Sequence, residues 1–163
     1  MVVISDNSNC INWLINHLVQ QFSIKDLGFL QHFLGIEVHK VGHSLFLSQH
    51  QYALDLLARA DISACKPIST PMPCKGRHLS HNPELFSDPS KFRSLVGGLQ
   101  YLTFTRPDIA YSVNHVCQFM QSPIVAHFQL VKWLLWYVQG TTHFGMKILA
   151  ESTLDLYGFS NAN

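Results

Sequence analysis

Charge is what this chain lacks most. Asp, Glu, Lys and Arg make up 13% of its 163 residues, about half of the roughly 25% usual in soluble domains. The balance is +1, so no long-range field draws the chain to nucleic acid or to an acidic membrane, and its ten histidines add positive charge only below about pH 6.5. Cysteine is sparse as well. Cys10, Cys65, Cys74 and Cys117 form no CxxC pair, which argues against a disulfide framework and points to free thiols in a reducing, intracellular setting. Long hydrophobic runs are missing too. The most apolar stretch, 124–138, is broken by His127, Gln129 and Lys132, short of the ~20 residues of a membrane span. The Met1 segment has neither the basic start nor the apolar stretch of a secretory signal.

What is present is an ordinary 47% of apolar residues, enough for one domain with a real core or for two small lobes, with nothing in the length that demands oligomerisation. Ile11, Leu14, Ile15, Leu18 and Phe22 repeat at helical spacing behind Asn7 and Ser8, predicting an opening amphipathic helix. FLGIEVHKVGHSLFLS alternates through Leu34, Ile36 and Val38, turns near Gly42 and resumes through Leu45 and Leu47, which is hairpin text. A helix follows at once, with Ser48 and Gln51 as its capping box.

Between Asp61 and Ser87 four prolines replace periodicity, so 61–87 reads as a linker or an extended strap. Three helices then follow. Asp88 and Pro89 open one with the stripe Phe92, Leu95, Leu99 and Leu102; Thr105 and Asp108 box a second with Ile109, Val113, Val116 and Met120; Ser122 and Pro123 open a third ending at Gly140. Together they predict a small bundle. Gly97 and Gly98 sit inside a helical pattern at ~1 kcal/mol each relative to alanine, pointing to close helix packing.

On the last helix Ile124, Phe128, Val131, Leu135 and Val138 fall on one stripe, whereas Trp133 and Trp136 project to the outer side. Two large aromatics there are read as packed against a neighbouring lobe or subunit, as base-stacking platforms, or as substitutions that replaced something polar. Cys65, Cys74, His78 and His81 have no common zinc spacing, so no metal is expected from them.

Five stretches, FSIKDLGFLQHFLGIEV, LFLSQHQYALDLL, CKPISTPM, SDPSKFRSLVGGLQYLTFTRPDIAYSVNHVCQFMQSP and AHFQLVKWLLWYVQGT, resemble in order and spacing the reverse transcriptase region of copia-type LTR retrotransposon Pol polyproteins, especially those of plants. The resemblance implies an α+β fold: the end of the polymerase palm with a primer-grip-like hairpin and following helix over 1–60, the linker, a three-helix thumb over 88–140, and the start of an RNase H-like domain over 141–163. In this family a YVDD turn carrying the catalytic aspartates stands just before the stretch matching MVVISDNS, and Asp6 lies beyond it as a helix-entry residue. The family reads GYSDADW or GFSDADW where this chain has Asn161 and Asn163. An asparagine amide gives magnesium a neutral carbonyl in place of the anionic oxygen it needs.

The resemblance thus implies a truncated, non-catalytic transposon relic, with no catalytic residue and no cofactor of its own, although the full-length family uses magnesium. The alternatives are a retained nucleic-acid-binding or protein-interaction module, or part of a longer reading frame encoding an active polymerase. The expected partner is an RNA–DNA hybrid or DNA, held at most weakly, and no membrane. Phe33, Leu34 and Gly35 of the hairpin region, with Lys91, Arg93, Arg106 and Lys132 on the helices, are the expected contacts. Trp133, Trp136 and Gln139 stand where the family commonly has Arg, Arg and Lys. Losing three phosphate contacts lowers the salt slope of binding by about 0.9 × 3, or ~2.7.

Overall fold

The computed structural model describes residues 3, 5, 7–62, 65–73 and 84–151. Asp6, Cys74, His78, His81, Asn161, Asn163 and the strand expected around Leu154 and Leu156 lie outside them. The described residues form helices α1 (Ser8–Gln21), α2 (His50–Arg59), α3 (Pro89–Leu102), α4 (Ala110–Cys117) and α5 (Val125–Gly140), with a 3-10 turn at Pro107–Ile109. Strands β1 (His32–Phe33), β2 (Ile36–Val41), β3 (Ser44–Ser48) and β4 (Gly145–Ile148) make one antiparallel sheet in the order β1-β2-β3-β4. The class is mixed α and β.

The hairpin turns where the sequence places it. Val41 pairs with Ser44, and Gly42 supplies φ +63° at the tip. A second tight turn precedes it. Phe33 pairs with Ile36 across Leu34 (φ +49°) and Gly35 (φ +75°), two left-handed residues of the kind that match strand twist in a two-residue loop. Glycine adopts that conformation freely, while Leu34 does so at a cost of about 1–2 kcal/mol.

The cap of α2 comes from elsewhere than expected. Ser48 does not cap the helix; Glu37, across the hairpin, accepts from the Gln51 N–H at 3.1 Å and from the Ser48 hydroxyl at 3.2 Å. A carboxylate at a helix N-terminus satisfies an orphan donor and meets the positive end of the dipole. Burial pushes the Glu37 carboxyl up, but the hydrogen bonds from Gln51, Ser48 and His39 outweigh it and hold the group below its ordinary value. Asp88 does cap α3 as expected, accepting from Lys91 N–H at 2.9 Å.

The expected stripes are the core. Phe92, Leu95, Leu99 and Leu102 are buried, as are Ile109, Val113 and Val116, with Met120 packed against them. On α5 burial is broader than one stripe: Leu130, Leu134 and Tyr137 join Val131, Leu135 and Val138. Two neighbours account for this. Ala53, Leu56 and Leu57 of α2 enter the same cluster, and residues 65–73 run back across the outer side of α5, where Ile68 N–H donates to the Trp136 carbonyl. Helix α2 and helices α3, α4 and α5 thus share one core. Gly98 bears out the close packing expected of it, since a Cβ there would stand 2.6 Å from Leu56 Cδ1, whereas Gly97 faces open space.

β4 completes the sheet. Residues 145–148, expected to begin a new domain, pair with β3 of the hairpin through Leu45↔Ile148 to Ser48↔Gly145. Gly145 makes this possible, because a Cβ there would run into the Leu47 carbonyl oxygen and to within 2.8 Å of Phe46 Cζ. In contrast α1, capped by Asn7 accepting from Asn9 N–H, has no buried residue; its Trp13 and the following Phe22, Leu27 and Phe29 are exposed.

Arg106 closes the helices onto the sheet. The expected capping box at Thr105 and Asp108 is not formed. Thr105 donates instead to Gln49 Oε1 at 2.9 Å, and Arg106, 2% exposed, makes a bidentate pair with Asp108 at 2.9 and 2.8 Å. The same guanidinium donates to the carbonyl and hydroxyl of Thr141, each at 2.8 Å, and lies over the Phe144 ring just before β4. Tyr137 OH donates to Asp108 at 2.9 Å. Burial pushes the Asp108 carboxyl up, but Arg106, by hydrogen bond and charge, and the Tyr137 hydroxyl bring it net below its ordinary value.

Two predictions follow from these contacts. Gly145→Ala is expected to lower unfolding stability by about 1–3 kcal/mol in urea melts with an unchanged slope, and a wild-type midpoint would contradict the β3–β4 pairing. Asp108 and Glu37 titrate lower folded than unfolded, so their stabilisation is complete above the ordinary carboxylate range and drains as pH falls through the folded values. Acid melts should thus show a loss of stability below about pH 4. Asp108→Asn should flatten part of that slope; an unchanged slope would show that the carboxylate does not carry it.

Candidate functional site

The residues expected to contact nucleic acid fall into three settings. Phe33, Leu34 and Gly35 form the exposed β1–β2 turn, which the Tyr101 hydroxyl holds by donating to the Leu34 carbonyl. Tyr101 in turn meets Tyr52 edge-on at 5.0 Å and Phe104 at 5.7 Å between ring centroids. Phe104 is 67% exposed. Beside this turn an open groove of about 410 Å³ is lined by Gly97, Gln100, Tyr101, Thr103 and Phe104. Here a strained Leu34 and an exposed aromatic ring are held in register by one hydroxyl, the arrangement in which backbone strain accompanies a contact surface.

Lys91 and Lys132 come together at a second place. A cleft of about 260 Å³ between the end of α2, the first turn of α3 and the middle of α5 is lined by Ala60, Asp61, Ile62, Cys65, Lys91, Phe128, Lys132 and Trp136. The Lys132 ammonium stands 5.1 Å from the Phe128 ring centroid, within cation–π range. Arg93 is exposed on α3 and lines neither cavity.

Arg106 is the correction. Expected on the phosphate-tracking face, it is buried, with its guanidinium engaged by Asp108 and Thr141. The sequence gives no sign of this, because Thr141 lies 35 residues away. The two tryptophans also divide. Trp133 donates its indole N–H to the Thr70 carbonyl at 2.9 Å, so it packs against the strap of its own chain. Trp136 is packed at the core edge and lines the cleft. The Tyr101–Phe104 groove was not singled out by sequence; two aromatics three residues apart near the end of a helix were the available sign.

Among the described residues no helix is long and apolar enough to cross a membrane, and Cys10, Cys65 and Cys117 are free thiols.

Residues 1–74 match the family model described as reverse transcriptase (RNA-dependent DNA polymerase). The chain is 45% identical over 163 residues to an uncharacterized mitochondrial protein of Arabidopsis thaliana, covering 99% of this chain and 68% of that protein. It is 39% identical, over its whole length, to the retrovirus-related Pol polyprotein from transposon RE1 of Arabidopsis thaliana, and 32% identical over 154 residues to that from transposon TNT 1-94 of Nicotiana tabacum. It spans 11% of the length of each polyprotein. No solved structure matches it with significance. Matches along the whole chain, in both the hairpin half and the helical half, show that it belongs to the reverse transcriptase family of copia-type retrotransposon Pol polyproteins.

Proposed function

We propose that these residues form a nucleic-acid-holding part of a copia-type reverse transcriptase and carry no polymerase or nuclease chemistry of their own. The observation that supports this most is the disposition of the carboxylates. Glu37 caps α2, Asp88 caps α3, Asp26 accepts from Gly28 N–H, and Asp108 is tied to Arg106 and Tyr137. Among the described residues no three His, Cys, Asp or Glu side chains gather as a metal site requires. Two-metal phosphoryl transfer needs carboxylates holding cations about 4 Å apart, and the described residues do not fit that demand. No step of nucleotide addition is assigned to them.

Cationic and aromatic side chains are disposed differently. Aromatic rings stand at the Leu34 turn as Tyr101 and Phe104, and cations join rings in the cleft of Lys91 and Lys132 with Phe128 and Trp136. Both are the chemistry of strand holding, in which cations meet phosphates and rings meet bases. The polyprotein relatives support a further part of this reading. Since the chain spans 11% of their length, the holding role is one performed within, or derived from, a longer transposon polymerase.

The purified chain, given magnesium, deoxynucleotides and a primed RNA template, is expected to extend no primer. In filter binding it should hold single strands and RNA–DNA hybrids weakly. Lys91, Arg93 and Lys132 set a log–log salt slope near −2.7 on a duplex, from about 0.9 per phosphate. Primer extension by this chain would overturn the absence of chemistry, and salt-independent or undetectable binding would overturn the holding role.

A further inference from the structure

The cleft between α2, α3 and α5 brings aromatic rings and cations together. Its lining includes two flat hydrophobic rings, Phe128 and Trp136, and two exposed ammonium groups, Lys91 and Lys132. Asp61 is the one carboxylate lining it, so the cleft keeps one positive charge in excess. In a chain with 13% charged residues, two lysines from helices 41 positions apart in sequence, 132 − 91, at one aromatic hollow favour an anionic ligand with an apolar face.

Size narrows the choice. At about 260 Å³, the cleft is just below the roughly 300–1,000 Å³ of pockets that take whole drug-sized ligands. One base with its phosphate matches that volume; a dinucleotide or a folded peptide does not. The tryptophans differ in a way that matters here. Trp133 is tied to Thr70 by its indole N–H, whereas the Trp136 N–H is buried and meets no acceptor among the described residues. Trp136 is thus placed by packing alone. It can adjust to a ring laid against it without breaking an indole hydrogen bond to the described residues.

We propose that this cleft receives a single unpaired nucleotide of a nucleic-acid strand, with its base against Trp136 and Phe128 and the phosphates on either side of it against Lys91 and Lys132. The inference rests on the strand-holding role proposed above and assigns it a place. Free nucleotide and strand share this chemistry, and the strand is the favoured source because the two lysines at the mouth offer contacts to successive phosphates.

The test uses the full chain labelled with fluorotryptophan, whose three indoles give three fluorine NMR signals assigned by single Trp→Phe variants. On titration with oligothymidylate, followed in parallel by anisotropy, the Trp136 signal is expected to move with the binding isotherm. Lys91→Gln with Lys132→Gln should lower the salt slope by about 1.4, at ~0.7 per single-strand phosphate. Trp136→Phe, which keeps a ring, should weaken binding about fivefold. Binding by anisotropy with an unmoved Trp136 signal would overturn the cleft assignment while leaving the holding role intact. Absence of any binding at low salt would overturn both. Thymidine monophosphate moving Trp136 with the strand's affinity would replace the strand by a free-nucleotide site.

Discussion

One buried guanidinium joins the parts of this molecule. Arg106 reaches Asp108 at the entry to α4, Thr141 at the end of α5 and the ring of Phe144 on the approach to β4. Burying a cation is costly unless every donor finds an acceptor and a counter-charge is at hand. Here the bidentate carboxylate supplies the charge and two hydrogen bonds, and Thr141 takes two more. The geometry that satisfies Arg106 is also the geometry that turns the chain out of α5 and lays β4 against β3, so the sheet is completed by residues about 100 positions beyond the hairpin, 145 − 45.

Much of the helical core was legible because it depends on local period. Phe92, Leu95, Leu99 and Leu102 repeat at helical spacing and are buried, and Asp88 followed by Pro89 marks the start of α3 in two residues of text. What was not legible depends on distant partners. Ser48 and Gln51 have the pattern of a capping box, but Glu37 reaches the same N–H from the adjacent strand and replaces it. Thr105 and Asp108 have the same pattern, yet a guanidinium between them takes the carboxylate. Nothing in Gly145–Ile148 names its pairing partner; the missing side chain at Gly145 is the local sign of close approach.

The candidate site divides along the same line. Lysines at positions 91 and 132 were singled out as surface charges, and the structure brings them to one cleft because α3 and α5 pack through the shared core beneath. Arg106 has the same charge and a similar sequence setting, and is internal. The difference lies in neighbours rather than residue type: Asp108 two positions on and Tyr137 on the facing helix give the guanidinium an internal counterpart, whereas the two lysines are exposed. Trp133 and Trp136 separate likewise, one held by the carbonyl of Thr70 and the other left to line the cleft.

If Arg106 closes the sheet onto the helices, the two must open together. Native-state hydrogen exchange in rising urea measures this amide by amide. The slowest amides of β3 and β4 are predicted to merge with those of α3 into one global isotherm, and to separate from it in an Arg106→Lys variant. A β4 that already exchanges through its own opening in the wild-type chain, far below the global free energy, would contradict the claim that one buried cation makes helices and sheet a single unit.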